Sequence, residues 1–157
     1  MNPHELPSPD IFHHTTPLQL RFSDVDVLGH VNNTVYFAFF DTGKAHYFSD
    51  VRKQMVDWQH VDTVIANVNC AFISSIVFGE EVEVLTTCTS ISDKSFKILQ
   101  LIREKNTGAA KALCETVMVS IDPTTHEARS LPDQLRKMLT DFEGRELSKK
   151  RQPAQEG

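Results

Sequence analysis

The stretch that most restricts how this chain can fold runs from residue 33 to about residue 52. Thr34-Val35-Tyr36-Phe37-Ala38-Phe39-Phe40 is apolar nearly all round, and the pattern resumes at Ala45, Tyr47, Phe48 and Val51. A strand of this length would be unusual, so the stretch reads as a helix. A helix apolar on so many sides is a buried one. Asn32 suits the N-cap, where its side-chain oxygen can accept from first-turn amides. Gly43 in the interior costs about 1 kcal/mol relative to Ala, which is tolerable if another backbone passes close by.

Most of the remaining chain reads as strand. Residues 1–15 form a polar, proline-rich lead-in expected to be flexible. Leu18, Leu20 and Phe22 then alternate with polar residues, which predicts a strand there. Residues 63–76 place Val64, Ala66, Val68, Cys70 and Phe72 on one face. Further strands are expected over 81–91, 95–104 and 110–121, with a bulge where the alternation breaks between Ile98 and Leu99. Phe78-Gly79-Glu80, Ser92-Asp93-Lys94 and Asn106-Thr107-Gly108 supply turn chemistry at hairpin length. Ser130-Leu131-Pro132-Asp133 has the pattern of a helix start, followed by the apolar stripe Leu135, Met138, Leu139 and Phe142. The charged tail, residues 143–157, is expected to be disordered. The result is an α+β domain over residues 16–142, a five-stranded antiparallel sheet curled around one long central helix with a short C-terminal helix. Five strands cannot cover such a helix from every side, so a homodimer is the minimum assembly expected, and a homotetramer is also open.

The bulk properties narrow the function. The chain has 157 residues and a formal net charge of −5, which argues against a nucleic-acid partner. The one dense basic stretch, Lys149-Lys150-Arg151, reads as a solvated tail. No apolar run approaches the roughly 20 residues that cross a bilayer, and the N-terminus lacks the pattern of a secretory signal. A cytoplasmic location without membrane attachment is therefore expected. Cys70, Cys88 and Cys114 are widely spaced within strand patterns and read as small buried residues, not as a disulfide framework or zinc site. The histidines lack ligand spacing, so no metal is expected.

Chemistry concentrates in Arg21-Phe22-Ser23-Asp24-Val25-Asp26-Val27-Leu28-Gly29-His30-Val31-Asn32-Asn33-Thr34-Val35-Tyr36. Here two carboxylates, a glycine turn, an imidazole and two amides precede a helix N-terminus. First-turn amides lack intrahelical partners and carry partial positive charge, so they can stabilise a developing oxyanion. A carboxylate on the adjoining loop can act on the same carbonyl as base or nucleophile. The same residues also suit plain loop duties, with Asp24 or Asp26 steadying a turn and His30 satisfied within the loop.

The segment resembles the signature of the 4-hydroxybenzoyl-CoA thioesterase family and its acyl-CoA and acyl-ACP relatives. That pattern is an aromatic residue, then Asp-x-Asp-x-x-Gly-His-Val-Asn-Asn-x-x-Tyr, matched here by Phe22, Asp24, Asp26, Gly29, His30, Val31, Asn32, Asn33 and Tyr36. Phe72, Gly79, Asp93-Lys94-Ser95-Phe96 and Leu131-Pro132 extend the likeness over about residues 17–140. The resemblance implies a hot-dog fold and hydrolysis of an acyl-CoA or acyl carrier protein thioester, with no cofactor beyond the CoA moiety of the substrate. It implies Asp26 as the catalytic carboxylate and the Asn33 backbone N–H as oxyanion donor. His30 and Asn32 would shape the loop or meet the substrate carbonyl, Asp24 would hold the loop, and Gly29 and Tyr36 would support it. Lys94 and Ser95 would contact CoA phosphates. Leu28 stands where the plant acyl-ACP branch carries Asn, a departure that weakens the transfer of that branch's fuller catalytic network. Asp41, about 12 Å along the helix from Asn33 at 1.5 Å per residue, reads as a supporting residue. A hot-dog dehydratase or hydratase, a non-catalytic acyl-CoA binder and a purely structural subunit are the rival readings.

Overall fold

The computed structural model describes residues 5–148. The first four residues and the basic stretch Lys149-Lys150-Arg151, with the rest of the tail, lie outside the described residues. Helix α1 spans Asn33–Arg52, with Asn32 as N-cap accepting from the Thr34 N–H. It lies against a five-stranded antiparallel sheet made of β1 (His14–Leu18), β2 (Thr63–Phe72), β3 (Val82–Ile91), β4 (Ser95–Glu104) and β5 (Ala110–Ser120). The strand order is β1-β3-β4-β5-β2. A second helix, α2 (Asp133–Glu143), packs Leu135 and Leu139 onto the end of this assembly. This is the hot-dog arrangement.

The helix-facing side chains fall into two clusters along α1. Tyr36, Phe39 and Phe40 near its N-terminus meet Val82, Val84, Ile102, Ala112 and Cys114. Tyr47 and Val51 near its C-terminus meet Cys88, Ile91, Phe96, Ile98 and Met118. Period-two alternation sends the intervening residues to the other face, where Leu85, Leu101 and Leu113 stand side by side on three neighbouring strands. Phe12 and Ile73 pack against that second cluster.

Gly43 fills a tight spot, though side chains occupy it where a passing backbone was expected. A Cβ there would lie 2.7 Å from Val84 Cγ1 and 2.9 Å from Gln100 Nε2. That Gln100 amide is itself committed, donating to the Phe40 carbonyl at 2.9 Å and to Thr86 Oγ1 at 3.1 Å.

Several expectations need correction. The first strand lies earlier than the Leu18–Phe22 alternation suggested, pairing His14 with Thr86 through Leu18 with Val82. Leu18 and Leu20 still pack on the core, Leu18 from the end of β1 and Leu20 from a loop, and Phe22 is exposed in a short 3-10 turn. The lead-in is correspondingly shorter, because His14 is buried and its Nε2 lies 2.7 Å from Asp50 Oδ2. The bulge belongs to β3: Cys88 opposes Ile98 while Ser90 opposes Lys97, leaving Thr89 unpaired. At α2 the cap position is Pro132, and the Ser130 hydroxyl donates to Asp93 Oδ1.

The tail also begins later than expected. Glu143 closes α2 and is buried, and Leu147 joins the core. Tyr47 Oη donates to Glu143 Oε1 at 2.7 Å, the Cys88 N–H donates to the same oxygen at 2.8 Å, and Thr87 Oγ1 donates to Oε2 at 2.8 Å. Burial, and then this carboxylate, push the Tyr47 hydroxyl well above the usual tyrosine range.

The outer strand β2 is exposed along most of its length, with Val64, Ile65, Val68 and Phe72 open to solvent. The adjoining face of α1 leaves Phe37 exposed, edge-on to Phe72.

Candidate active site

The segment from Arg21 to Tyr36 folds into a turn, a second tighter turn, and the start of α1. Asp24 is buried. Its Oδ2 accepts from the Arg21 N–H at 2.8 Å, its Oδ1 from Arg21 Nη2 at 3.2 Å, and its carbonyl from the Asn32 N–H at 2.9 Å. Asp24 thus ties the entry of the loop to its exit.

Asp26 sits at the head of the tighter turn. Its N–H donates to the His30 carbonyl at 2.9 Å, and its carbonyl accepts from the Gly29 N–H at 3.0 Å. Closing so short a loop puts Gly29 at φ 75°, a conformation that side chains with a Cβ rarely adopt. The Asp26 Oδ1 accepts from the Leu28 N–H at 2.9 Å and the His30 N–H at 3.3 Å. Among the described residues no donor reaches Oδ2. One carboxylate oxygen is therefore anchored and the other is open, and the side chain as a whole is exposed.

The loop is pinned to the connection between β2 and β3. Val31 N–H donates to the Ile76 carbonyl at 2.8 Å, and Phe78 N–H to the Gly29 carbonyl at 3.0 Å. The buried Tyr36 hydroxyl accepts from the Ile76 N–H at 3.2 Å, and burial raises its pKa. Lys111 steadies the same connection through the Ser75 carbonyl and the Glu80 carboxylate, each at 2.9 Å.

At the start of α1 the amides divide unequally. Thr34 N–H is taken by Asn32 Oδ1 at 3.0 Å, and Val35 N–H by the Asn32 carbonyl at 2.9 Å. The Asn33 N–H has no acceptor among the described residues. A cleft of about 220 Å³ opens here, lined by Asp26, His30, Val31, Asn32, Asn33, Tyr36 and Ser75. Asp26, whose carboxylate keeps one oxygen without a donor, and Asn33, whose N–H at the positive end of the helix lacks an acceptor among the described residues, thus line one cleft. Such a pair can act on one carbonyl, the first as base or nucleophile and the second as oxyanion donor.

The structure brings Asp26, Gly29, His30, Asn32, Asn33 and Tyr36 together, with Asp24 bracing them from beneath. It does not bring in Lys94 and Ser95. Their turn lies beside Ile91 and Phe96, which pack at the C-terminal end of α1, the far end from Asp26 within one protomer. Asp41 is exposed and pairs with buried Lys44 at 3.2 Å, away from the cleft. Ser75 is a cleft residue that sequence reasoning missed, because nothing in Ser74-Ser75 marks which turn of a connection reaches another loop. A larger hollow of about 320 Å³ lies under the loop after α1, between Phe48, Met55, Val56, Val61 and the Arg52–Asp62 ion pair. Its acidic side chains are not set against a helix N-terminus, so the smaller cleft is the better chemical site. Among the described residues no three His, Cys, Asp or Glu side chains converge as metal ligands would, and no helix is long and apolar enough to cross a membrane.

Comparison with known proteins agrees with this geometry. The chain is 25% identical over 122 residues to YsmA of Bacillus subtilis (strain 168), covering 78% of this chain and 82% of that protein. A Thermus thermophilus thioesterase complexed with coenzyme A and Zn superposes with a TM-score of 0.77 at 26% identity, over 87% of this chain and 98% of that one. A predicted thioesterase from Bacillus stearothermophilus gives a TM-score of 0.74 at 25% identity, over 82% and 94% respectively. The family model described as the thioesterase-like superfamily matches residues 20–139, a span that contains the whole Asp26 loop, all of α1 and the larger part of α2. This chain belongs to the thioesterase-like superfamily.

Proposed function

We propose that this protein hydrolyses acyl-CoA or acyl carrier protein thioesters, with Asp26 as the reacting carboxylate and the Asn33 N–H as oxyanion donor. The observation that carries this reading is that Asp26, with one carboxylate oxygen free of donors, and Asn33, with its N–H unpartnered among the described residues, line one cleft. The coenzyme A bound by the Thermus thermophilus thioesterase supports CoA as carrier.

Two routes fit the site. In one, Asp26 attacks the thioester carbonyl, the thiolate leaves, and water hydrolyses the mixed anhydride. In the other, Asp26 takes a proton from a water molecule that attacks directly. Negative charge gathers on the carbonyl oxygen in both, and the helix end lowers its energy. A thiolate leaves without strong acid assistance, so neither route calls on a cofactor. His30 and Asn32 line the same cleft and would orient the acyl group. The working unit is a homodimer at minimum, supported by the exposed apolar β2 edge and by Phe37 on α1. Its working compartment is the cytoplasm.

The test is hydrolysis of a panel of acyl- and aryl-CoA and acyl carrier protein thioesters by wild type and Asp26→Asn. Asn keeps an oxygen for the Leu28 and His30 amides, so the loop should survive. A loss of at least about a hundredfold in kcat is the expected size for an essential acid, base or nucleophile. Binding of CoA thioesters without cleavage by wild type would instead make this a binding protein. Turnover of enoyl or hydroxyacyl thioesters by addition or loss of water would make it a hydratase or dehydratase.

A further inference from the structure

We propose that Cys70 and Cys114 form a reversible dithiol–disulfide couple that hydrogen peroxide oxidises within one protomer. The two residues stand directly opposite each other on antiparallel β2 and β5. Opposed residues in such a ladder have Cα atoms about 4.5 or 5.5 Å apart, depending on the pair type, and both values lie inside the range that a disulfide spans. Both side chains point to the same face, into the cluster that holds Tyr36 and Phe40. Neither therefore has to cross the sheet to meet the other. Cys88 belongs to the other cluster along α1 and has no cysteine opposite it, since its partner is Ile98.

The surroundings divide the labour between the two sulfurs. Pairing with the Cys70 thiol, the Thr116 hydroxyl 3.8 Å from Cys114 Sγ and the Lys44 ammonium favour the Cys114 thiolate, while burial and the Asp41 carboxylate, paired with Lys44 at 3.2 Å, oppose it. The balance holds Cys114 below the usual cysteine range and holds the proton on Cys70. Cys114 is buried and Cys70 half-buried on β2, and once the proposed homodimer covers that edge only a reagent as small as hydrogen peroxide is placed to reach the pair.

In the first step the Cys114 sulfur attacks one peroxide oxygen and the O–O bond breaks. The products are a sulfenic acid on Cys114 and one water. In the second, the Cys70 sulfur attacks the Cys114 sulfur and displaces hydroxide, which takes the Cys70 proton and leaves as a second water. Two thiols lose two electrons, and those electrons reduce one peroxide to two waters. A small thiol reductant reverses the bond by exchange. Oxidation would stitch the exposed edge strand to the sheet beneath Tyr36, whose hydroxyl holds the Ile76 amide at the rim of the cleft.

The experiment is to treat reduced, folded protein with hydrogen peroxide, block free thiols with iodoacetamide after denaturation, and map the unreduced peptides. The expected product is a linked Cys70–Cys114 peptide two hydrogens lighter than the reduced pair, with Cys88 alkylated. Cys88→Ser should form the same link after peroxide, and Cys70→Ser should form no linked peptide within the chain. Alkylation of both Cys70 and Cys114 after peroxide, a Cys70–Cys70 link between chains, or loss of the link in Cys88→Ser would each overturn the proposal.

Discussion

Replacing Gly43 with Ala sets two opposing effects of known size against each other. Helix propensity alone favours Ala by about 1 kcal/mol, so on an open helix face the change would stabilise the protein. Here the new Cβ would sit 2.7 Å from Val84 Cγ1 and 2.9 Å from Gln100 Nε2. Forcing a methyl into such packing costs about 1–3 kcal/mol. Gln100 cannot simply rotate away, because its amide serves both the Phe40 carbonyl and Thr86 Oγ1 in a fully buried position. Leaving such a group unpaired costs about 1–3 kcal/mol more. The expected net loss is about 1–5 kcal/mol, read as a shift of the urea midpoint at constant slope. Val84→Ala in the same chain makes room for the methyl, so the double variant should lose less than the sum of the singles. A coupling of about 0.5–3 kcal/mol is the range for residues in contact. If Gly43→Ala is as stable as wild type, or more so, the reasoning fails, because propensity would then be acting unopposed.

Two further predictions concern the edges of the fold. Glu143→Ala strips the acceptor from Tyr47 Oη, the Cys88 N–H and Thr87 Oγ1 at once. Three orphaned donors at about 1–3 kcal/mol each should destabilise the protein by about 3 kcal/mol or more, with Glu143→Gln losing less. An Ala variant within about 1 kcal/mol of wild type, on the same urea assay, would show that water replaces the carboxylate. At the other edge, sedimentation should find at least twice the 17.8 kDa chain mass for wild type. Val68→Lys, which puts a charge on the exposed β2 strand, should shift it toward the single chain, and a monomeric wild type would remove β2 as the docking edge.

How much of this was legible in the sequence depended on whether the deciding contacts were local. The candidate site was legible because its parts are contiguous: Asp26, Gly29 and His30 close one turn, and Asn32 caps the helix that follows. The central helix could be read from its own apolar residues, and the β3–β4 and β4–β5 turns from Ser92-Asp93-Lys94 and Asn106-Thr107-Gly108. The first strand was misplaced because Leu18 and Leu20 are apolar for packing, while the ladder is set by register with β3. Glu143 looked like the start of a solvated tail because its partners, Tyr47, Thr87 and Cys88, are remote in sequence. Ser75 and the neighbours of Gly43 were hidden for the same reason.

The strand order also imposes a timetable on synthesis. β2 is completed at Phe72, yet its neighbour in the sheet, β5, begins at Ala110. At about 5–20 residues per second, a ribosome leaves β2 without its partner for roughly 2 to 8 seconds. Throughout that interval an apolar strand with both edges open, and a helix apolar on most sides, share the nascent chain. Chains emerging together on one message could exchange these elements before the fifth strand arrives. A cell making this protein quickly therefore meets its greatest aggregation hazard before the sheet closes, and a slower passage through residues 73–110 would lengthen it.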